Sequence, residues 1–158
     1  MKKRIARQYP IHAGGHVWNV GAVSLVELPD GTEAISQVEL ARVHRAIANA
    51  ICGTAEVLTM DELEFLCDVT STTFTQVAGY LDLNKSTITT WRRKGVVPSR
   101  LTSNALKRWF WFRMFGAELA TEHLPISRFQ DDEAFLESAS ERAVRSKVTV
   151  HAALRRAS

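Results

Sequence analysis

One stretch constrains this chain more than any other: residues 73–95, TFTQVAGYLDLNKSTITTWRRKG, where two short helical patterns are separated by only a few residues. Val77, Ala78 and Leu81 recur at helical spacing before the break, and Leu83, Ile88 and Trp91 after it, as two helices on one core require. Ala78 is small where such helices cross most closely. Asn84 is a suitable N-cap, because its side-chain oxygen can accept from the free amides of the turn that follows. With Ile88 and Trp91 turned inward, a rotation of about 100° per residue sends Ser86, Thr89, Thr90 and Arg93 outward, with Lys85 at the entrance. That outward face has donors and acceptors but little bulk.

Charge divides the chain at the same place. Residues 53–83 carry six acids (Glu56, Asp61, Glu62, Glu64, Asp68, Asp82) and neither Lys nor Arg, whereas residues 84–117 carry eight bases (Lys85, Arg92, Arg93, Lys94, Arg100, Lys107, Arg108, Arg113) and no acid. A solvated face normally mixes signs, so the change predicts a phosphate-facing surface backed by an acidic one. Short hydroxyl side chains can approach base edges and phosphates, while Lys and Arg reach guanine edges or the backbone. The candidates for base contact are Lys85, Ser86, Thr89, Thr90 and Arg93. Those for phosphate contact are Thr73, Asn84, Arg92, Lys94, Arg100, Lys107 and Arg108.

The segment LTMDELEFLCDVTSTTFTQVAGYLDLNKSTITTWRRKGVVPSRLTSNALKRWF resembles the lambda-repressor-like helix-turn-helix domain of the XRE or Cro type, a likeness that covers residues 58–115. Thr73 matches the cap of the second helix of that family, Ala78 its small residue, residues 84–91 its recognition helix and Gly95 the stop after it. The resemblance implies that residues 85–93 enter the major groove of double-stranded DNA, with Lys85, Ser86 and Thr90 touching bases. The sequence departs from the family at Asp82, where the turn usually has Gly, and at Phe74, where a polar residue often holds a phosphate. The upstream stretch LVELPDGTEAISQVELARVHRAIANAI, followed by this domain, is similar to the antitoxin regulators of the MqsA (YgiT) type, without their zinc-binding CxxC pairs. One recognition helix reads only a few base pairs, so the expected regulator is a homodimer on an inverted repeat. The second resemblance implies the alternative of an antitoxin that neutralises a partner toxin and controls their shared promoter.

At 158 residues and 46% hydrophobic content the chain can bury one good core or two small ones. No run approaches the roughly 18 apolar residues of a membrane span, and the basic MKKRIAR precedes no apolar signal core, so a cytoplasmic protein is expected. Cys52 and Cys67 lie within apolar helical patterns and read as free core thiols. Of the five histidines only His12 and His16 are close together, without a cysteine or acid beside them, so no metal site is expected. AGGH lacks the spacing of a phosphate loop, there is no nucleophile elbow, and the acids at 131–133 read as helix-start electrostatics. These patterns predict neither a cofactor nor an enzyme.

Along the chain, residues 1–15 read as a flexible basic arm, which either lies along phosphates or a minor groove or is a solvated terminus. Residues 17–28 and a run to Ile35, separated by Pro29-Asp30-Gly31, read as a hairpin. Ser36 with Glu39 forms a capping box opening a helix to about Cys52, and this hairpin-plus-helix at 16–57 reads as a small α/β interaction module. Thr59 with Glu62 caps a helix from Met60 to about Val69 in a DNA-binding domain at 58–117. Pro98 bars helix continuation, and a helix then runs from about 99 to 115. That helix is apolar most of the way round, so one face is expected on the domain core and another on the N-terminal module or a twin subunit, with Trp109, Phe110, Trp111, Phe112 and Phe115 as the dimer or partner interface candidates; base stacking on single strands is the other reading of aromatics beside bases. An amphipathic helix at 130–145 and an ambiguous tail complete residues 118–158. The expected fold is mainly α with a small N-terminal β-hairpin.

Overall fold

The computed structural model describes residues 2–95, 98–121, 135 and 150–152, and assigns them to five helices and an N-terminal antiparallel β-structure. The first part of the chain is a bent ribbon. Strands β1 (Lys3–Ala6) and β2 (Tyr9–Ala13) run antiparallel to β4 (Val23–Glu27) and β3 (His16–Val20) respectively. Lys3 faces Val26, Ala6 faces Val23, Tyr9 faces Val20 and Ala13 faces His16, so one register continues through both pairs. At its tip are Gly14 and Gly15, with φ of 59° and 76°, the two consecutive positive values that a tight primed turn demands. The ribbon breaks at Arg7-Gln8 opposite Gly21-Ala22, where Ala22 has φ 57°. Strand β5 (Glu33–Ile35) extends β4 through a loop closed between Leu28 and Thr32, and β6 (Val150–Ala152) extends β3.

Two expectations change here. Where a flexible basic arm is expected, residues 3–6 and 9–13 are strands, and Ile11 and Ala13 are buried on the inner face opposite Trp18 and His16, a pattern hidden in the sequence among the bases and Pro10. The hairpin expected to begin at residue 17 is divided: residues 17–20 pair back to β2, and only residues 23–35 form the hairpin closed at Pro29-Asp30-Gly31.

Helix α1 (Gln37–Cys52) lays Val43, Ile47, Ala48 and Ile51 against the inner face of the ribbon. Ser36 accepts from the Glu39 amide, but the Glu39 carboxylate does not return to complete a box. It accepts instead from the Ser24 amide at 2.8 Å and from Arg42, which holds it below the usual carboxylate range and ties the helix start to β4. Helix α2 (Met60–Thr70) opens with the expected Thr59–Glu62 capping box, worth about 1 kcal/mol as such caps usually are. The other Glu62 oxygen lies 3.0 Å from His16 Nε2, and Gly15 leaves no room for a Cβ beside Asp61, so the ribbon tip is seated on the start of α2.

Helices α3 (Phe74–Tyr80) and α4 (Lys85–Lys94) follow, and α5 (Arg100–Thr121) runs farther than the expected residue 115. Its N-terminus is capped by Ser99, which accepts from the Thr102 amide at 3.2 Å. One buried cluster continues from Trp18, Val20 and Leu25 through Ile47, Leu58 and Leu66 to Val77, Ile88, Leu106 and Trp111. Among the described residues no helix is long and apolar enough to cross a membrane. The helix expected at 130–145 lies outside the described residues except for Phe135, which is buried edge-on against Trp111 with ring centroids 5.4 Å apart.

Candidate nucleic-acid interface

The turn between α3 and α4 is closed by its own backbone. Leu83 N donates to Ala78 O at 2.8 Å and Asp82 N to Gly79 O at 3.3 Å, the paired bonds of a Schellman ending, which requires the residue between to be left-handed. Asp82 meets that requirement at φ 52°, a conformation Asp tolerates better than most residues because its short side chain bonds locally. The departure from Gly at this position therefore leaves the turn geometry intact. Thr73 caps α3 reciprocally with Gln76, so its hydroxyl, expected on a phosphate, already accepts from the Gln76 amide at 3.2 Å.

Two small or branched residues on α3, Val77 and Ala78, are buried against Ile88, the one fully buried side chain of α4. Trp91 is half-buried beside them. Everything that α4 carries in charge faces solvent: Lys85, Arg92, Arg93 and Lys94 are exposed, together with Ser86 and Thr89. Thr90 is half-buried, between the two faces, and Thr89 Oγ1 donates weakly to Lys85 O at 3.4 Å. Two expectations about the helix start fail. Asn84 occupies the N-cap but its side chain makes no capping bond, and Leu83 is 37% exposed because the Schellman turn rotates it out of the core. Gly95 stops the helix in the left-handed conformation at φ 62°.

Arg92, expected on a phosphate, pairs with Glu64 of α2 at 2.8 Å, the arginine well exposed and Glu64 partly so. No local pattern signals this partner, since Glu64 and Arg92 belong to different helices. Arg100 is exposed at the start of α5 and Arg108 is half-buried. Lys107 is a correction. It is 1% exposed, and its ammonium donates to the carbonyls of Thr54, at 2.7 Å, and of Glu56. Burial pushes its pKa below the ordinary lysine value. The residue closes the loop between α1 and α2 and reaches no outer surface.

Of the coverings expected for the aromatic run of α5, the core and the N-terminal module supply most. Phe110, Trp111 and Phe115 are buried in the chain's own core, with Trp111 Nε1 donating to Asn49 Oδ1 of α1 at 2.8 Å. Four consecutive helical residues cover the whole circumference, so only Trp109 and Phe112 are left half-buried. Trp109 lies flat on Tyr80 of α3, rings 4.7 Å apart and 7° from parallel, with the Arg113 guanidinium over it at 5.1 Å. Tyr80 ends α3, so this stack lies beside the α3–α4 turn, and Leu101 at the start of α5 is largely exposed. Tyr80 was not among the residues singled out from the sequence; its exposed position at the end of α3 becomes visible only once α5 is placed.

Among the described residues, no group of three or more His, Cys, Asp or Glu could hold a metal ion. Both cysteines are buried thiols; burial, with Asp68 and Glu64 adding to it, pushes Cys67 up to about 12. Comparison with protein-family models, curated proteins and solved structures finds no match to this chain.

Proposed function

We propose that this chain is a sequence-specific regulator that binds double-stranded DNA as a homodimer on an inverted repeat, with α3, the turn and α4 acting as a helix-turn-helix. The observation that carries the reading is the division of α4 into a buried Ile88 and an outer face made of Lys85, Ser86, Thr89, Arg92, Arg93 and Lys94. A helix of ten residues anchored along one side can enter a groove as a rigid body, and its short hydroxyls allow close approach. Lys85, Ser86 and Arg93 would read base edges, with Thr89 and Thr90 on the flank. Arg92, Lys94 and Arg100 would neutralise phosphates, a role that Lys107 cannot share. Lys85 at the mouth of α4 would contribute in both ways, because the positive end of a helix whose first turn no side chain caps favours an anion beside it.

The test is fluorescence anisotropy of the protein with DNA from upstream of its own gene and with a scrambled duplex, across a salt series. Preference for the upstream duplex that persists as salt rises is the expected result. Equal binding to both duplexes that vanishes with salt would reduce the outer face of α4 to a basic surface. Absence of binding to either would remove the reading altogether.

A further inference from the structure

Strand β1 lies at the edge of its sheet, bonded on one side to β4 and on the other, among the described residues, to no strand. Register decides which of its backbone groups face the open side. Glu27 N donates to Lys2 O at 3.0 Å, so residues 2 and 27 are a hydrogen-bonded pair, and antiparallel alternation assigns the next bonds to Arg4 and Ala6. The amides and carbonyls of Lys3 and Ile5 therefore point outward. Their side chains, two residues apart, share the face turned away from the buried Ala6. Ile5 is 70% exposed, an unusual exposure for an isoleucine within a strand. Lys2, Lys3 and Arg7 around it are exposed too, and the first acid of the chain is Glu27. Arg4, on the opposite face, is already held by Glu33 at 2.7 Å. The neighbouring edge, along β2, carries Pro10, which has no amide to offer.

We infer that the edge of β1 accepts an extended acidic segment of a partner protein as an added strand, an apolar side chain of that segment lying against Ile5 and carboxylates against Lys3 and Arg7. The charges choose the occupant. A second copy centred antiparallel on Ile5 would set Lys3 of one molecule beside Arg7 of the other, and like charges directly opposite are destabilising. A phosphate backbone would use the cations but neither the outward amides nor the exposed Ile5, whereas an extended peptide uses all three. The complementary pattern is acid, any residue, apolar residue, any residue, acid. The inference uses no residue of α4 and so does not depend on the DNA-binding reading.

The experiment titrates the isotope-labelled full chain with a synthetic peptide whose core is Glu-Thr-Ile-Thr-Glu, with a peptide of the same composition in which the acids are adjacent, and with a short DNA duplex. The expected result is tighter binding of the alternating peptide, with slowed amide exchange at Lys3 and Ile5 and little change at Arg4 and Ala6, which are bonded beforehand. The charge reversal Lys3→Glu with Arg7→Glu should weaken that binding about tenfold by turning attraction into repulsion. Ile5→Asp, on a side chain that contributes nothing to the core, should weaken it as well. Equal binding of the two peptides, absence of binding, uniform slowing across residues 3–6, or protection of Lys3 and Ile5 by the duplex alone would each overturn the inference. Because the exchange pattern is read on the unaltered protein, a variant that failed to fold would not remove the test.

Discussion

Helix α4 and the part of α5 up to residue 117 share one signature in the sequence, bases without acids, and use it in opposite ways. The four bases of α4 are exposed on a helix with a single fully buried residue. On α5, Lys107 is as buried as Phe110 and Trp111, Arg108 is half-buried, and only Arg100 and Arg113 stand in solvent. The difference comes from what lies opposite each helix. α4 leans on α3 along one narrow stripe, whereas α5 is contacted by both α1 and α2, and the loop after α1 presents carbonyls that an ammonium can satisfy. A basic side chain thus becomes a surface charge or an internal clasp according to whether unpaired acceptors lie within its reach.

The sharpest way to break this contrast is to treat the two kinds of base alike. Lys107→Ala should cost about 2–4 kcal/mol in chemical denaturation, since it orphans buried carbonyls and removes a packed aliphatic stem, while the salt dependence of any DNA binding by the folded fraction stays unchanged. Lys107 has a folded pKa below its ordinary 10.5, so the unfolded chain binds the proton more tightly and stability rises with pH between those two values. Lys107→Met should flatten that rise, as matched unfolding curves at increasing pH would show.

Arg93→Ala is the counterpart on α4. Stability should move by no more than about 0.5 kcal/mol, while affinity for the preferred duplex falls about tenfold and discrimination against the scrambled one narrows. If instead Arg93→Ala destabilised the fold and Lys107→Ala altered the salt slope, the contrast between the helices would be reversed. Asp82→Gly should raise stability by about 0.5–1 kcal/mol, because glycine occupies a left-handed position without the Cβ penalty; a loss of stability would mean that the carboxylate itself holds the turn. The smallest effect expected is from Glu64→Gln, which frees Arg92 from its partly exposed partner. Affinity for all duplexes should increase about twofold, and in Arg92→Ala the same change should have no effect.

What could be read from the sequence was what depends on neighbours along the chain. The Thr59–Glu62 box, the Ser36 cap, the left-handed Gly95 and the inward position of Ile88 are local, and each is found where the pattern puts it. The Gly14-Gly15 turn was equally local but was masked by the bases before it; the alternation of Ile11, Ala13, Trp18 and Val20 around two glycines was the usable signal. Lys107 was beyond such reasoning, since its acceptors, Thr54 and Glu56, lie 53 and 51 residues away. Which of the four consecutive aromatics faces inward was likewise open until Asn49 of α1 supplied an acceptor for the Trp111 indole. Of the expected site, the outer face of α4 could be read from periodicity, whereas the diversion of Arg92 to Glu64 and of Thr73 to its own cap required the third dimension.

The pairing of β3 with β6 has a consequence for the order in which the molecule is assembled. The ribbon from β1 to β4 closes through a two-residue turn and can form as soon as its own strands have been made, on the microsecond scale of hairpins. Trp18 meets Ala152 only after the chain has been synthesised through residue 152. The outer side of β3 must wait through that interval with its hydrogen-bonding edge open, so in newly made chains it is a second edge at risk of mispairing beside that of β1, and β6 acts as the latch that ends the exposure.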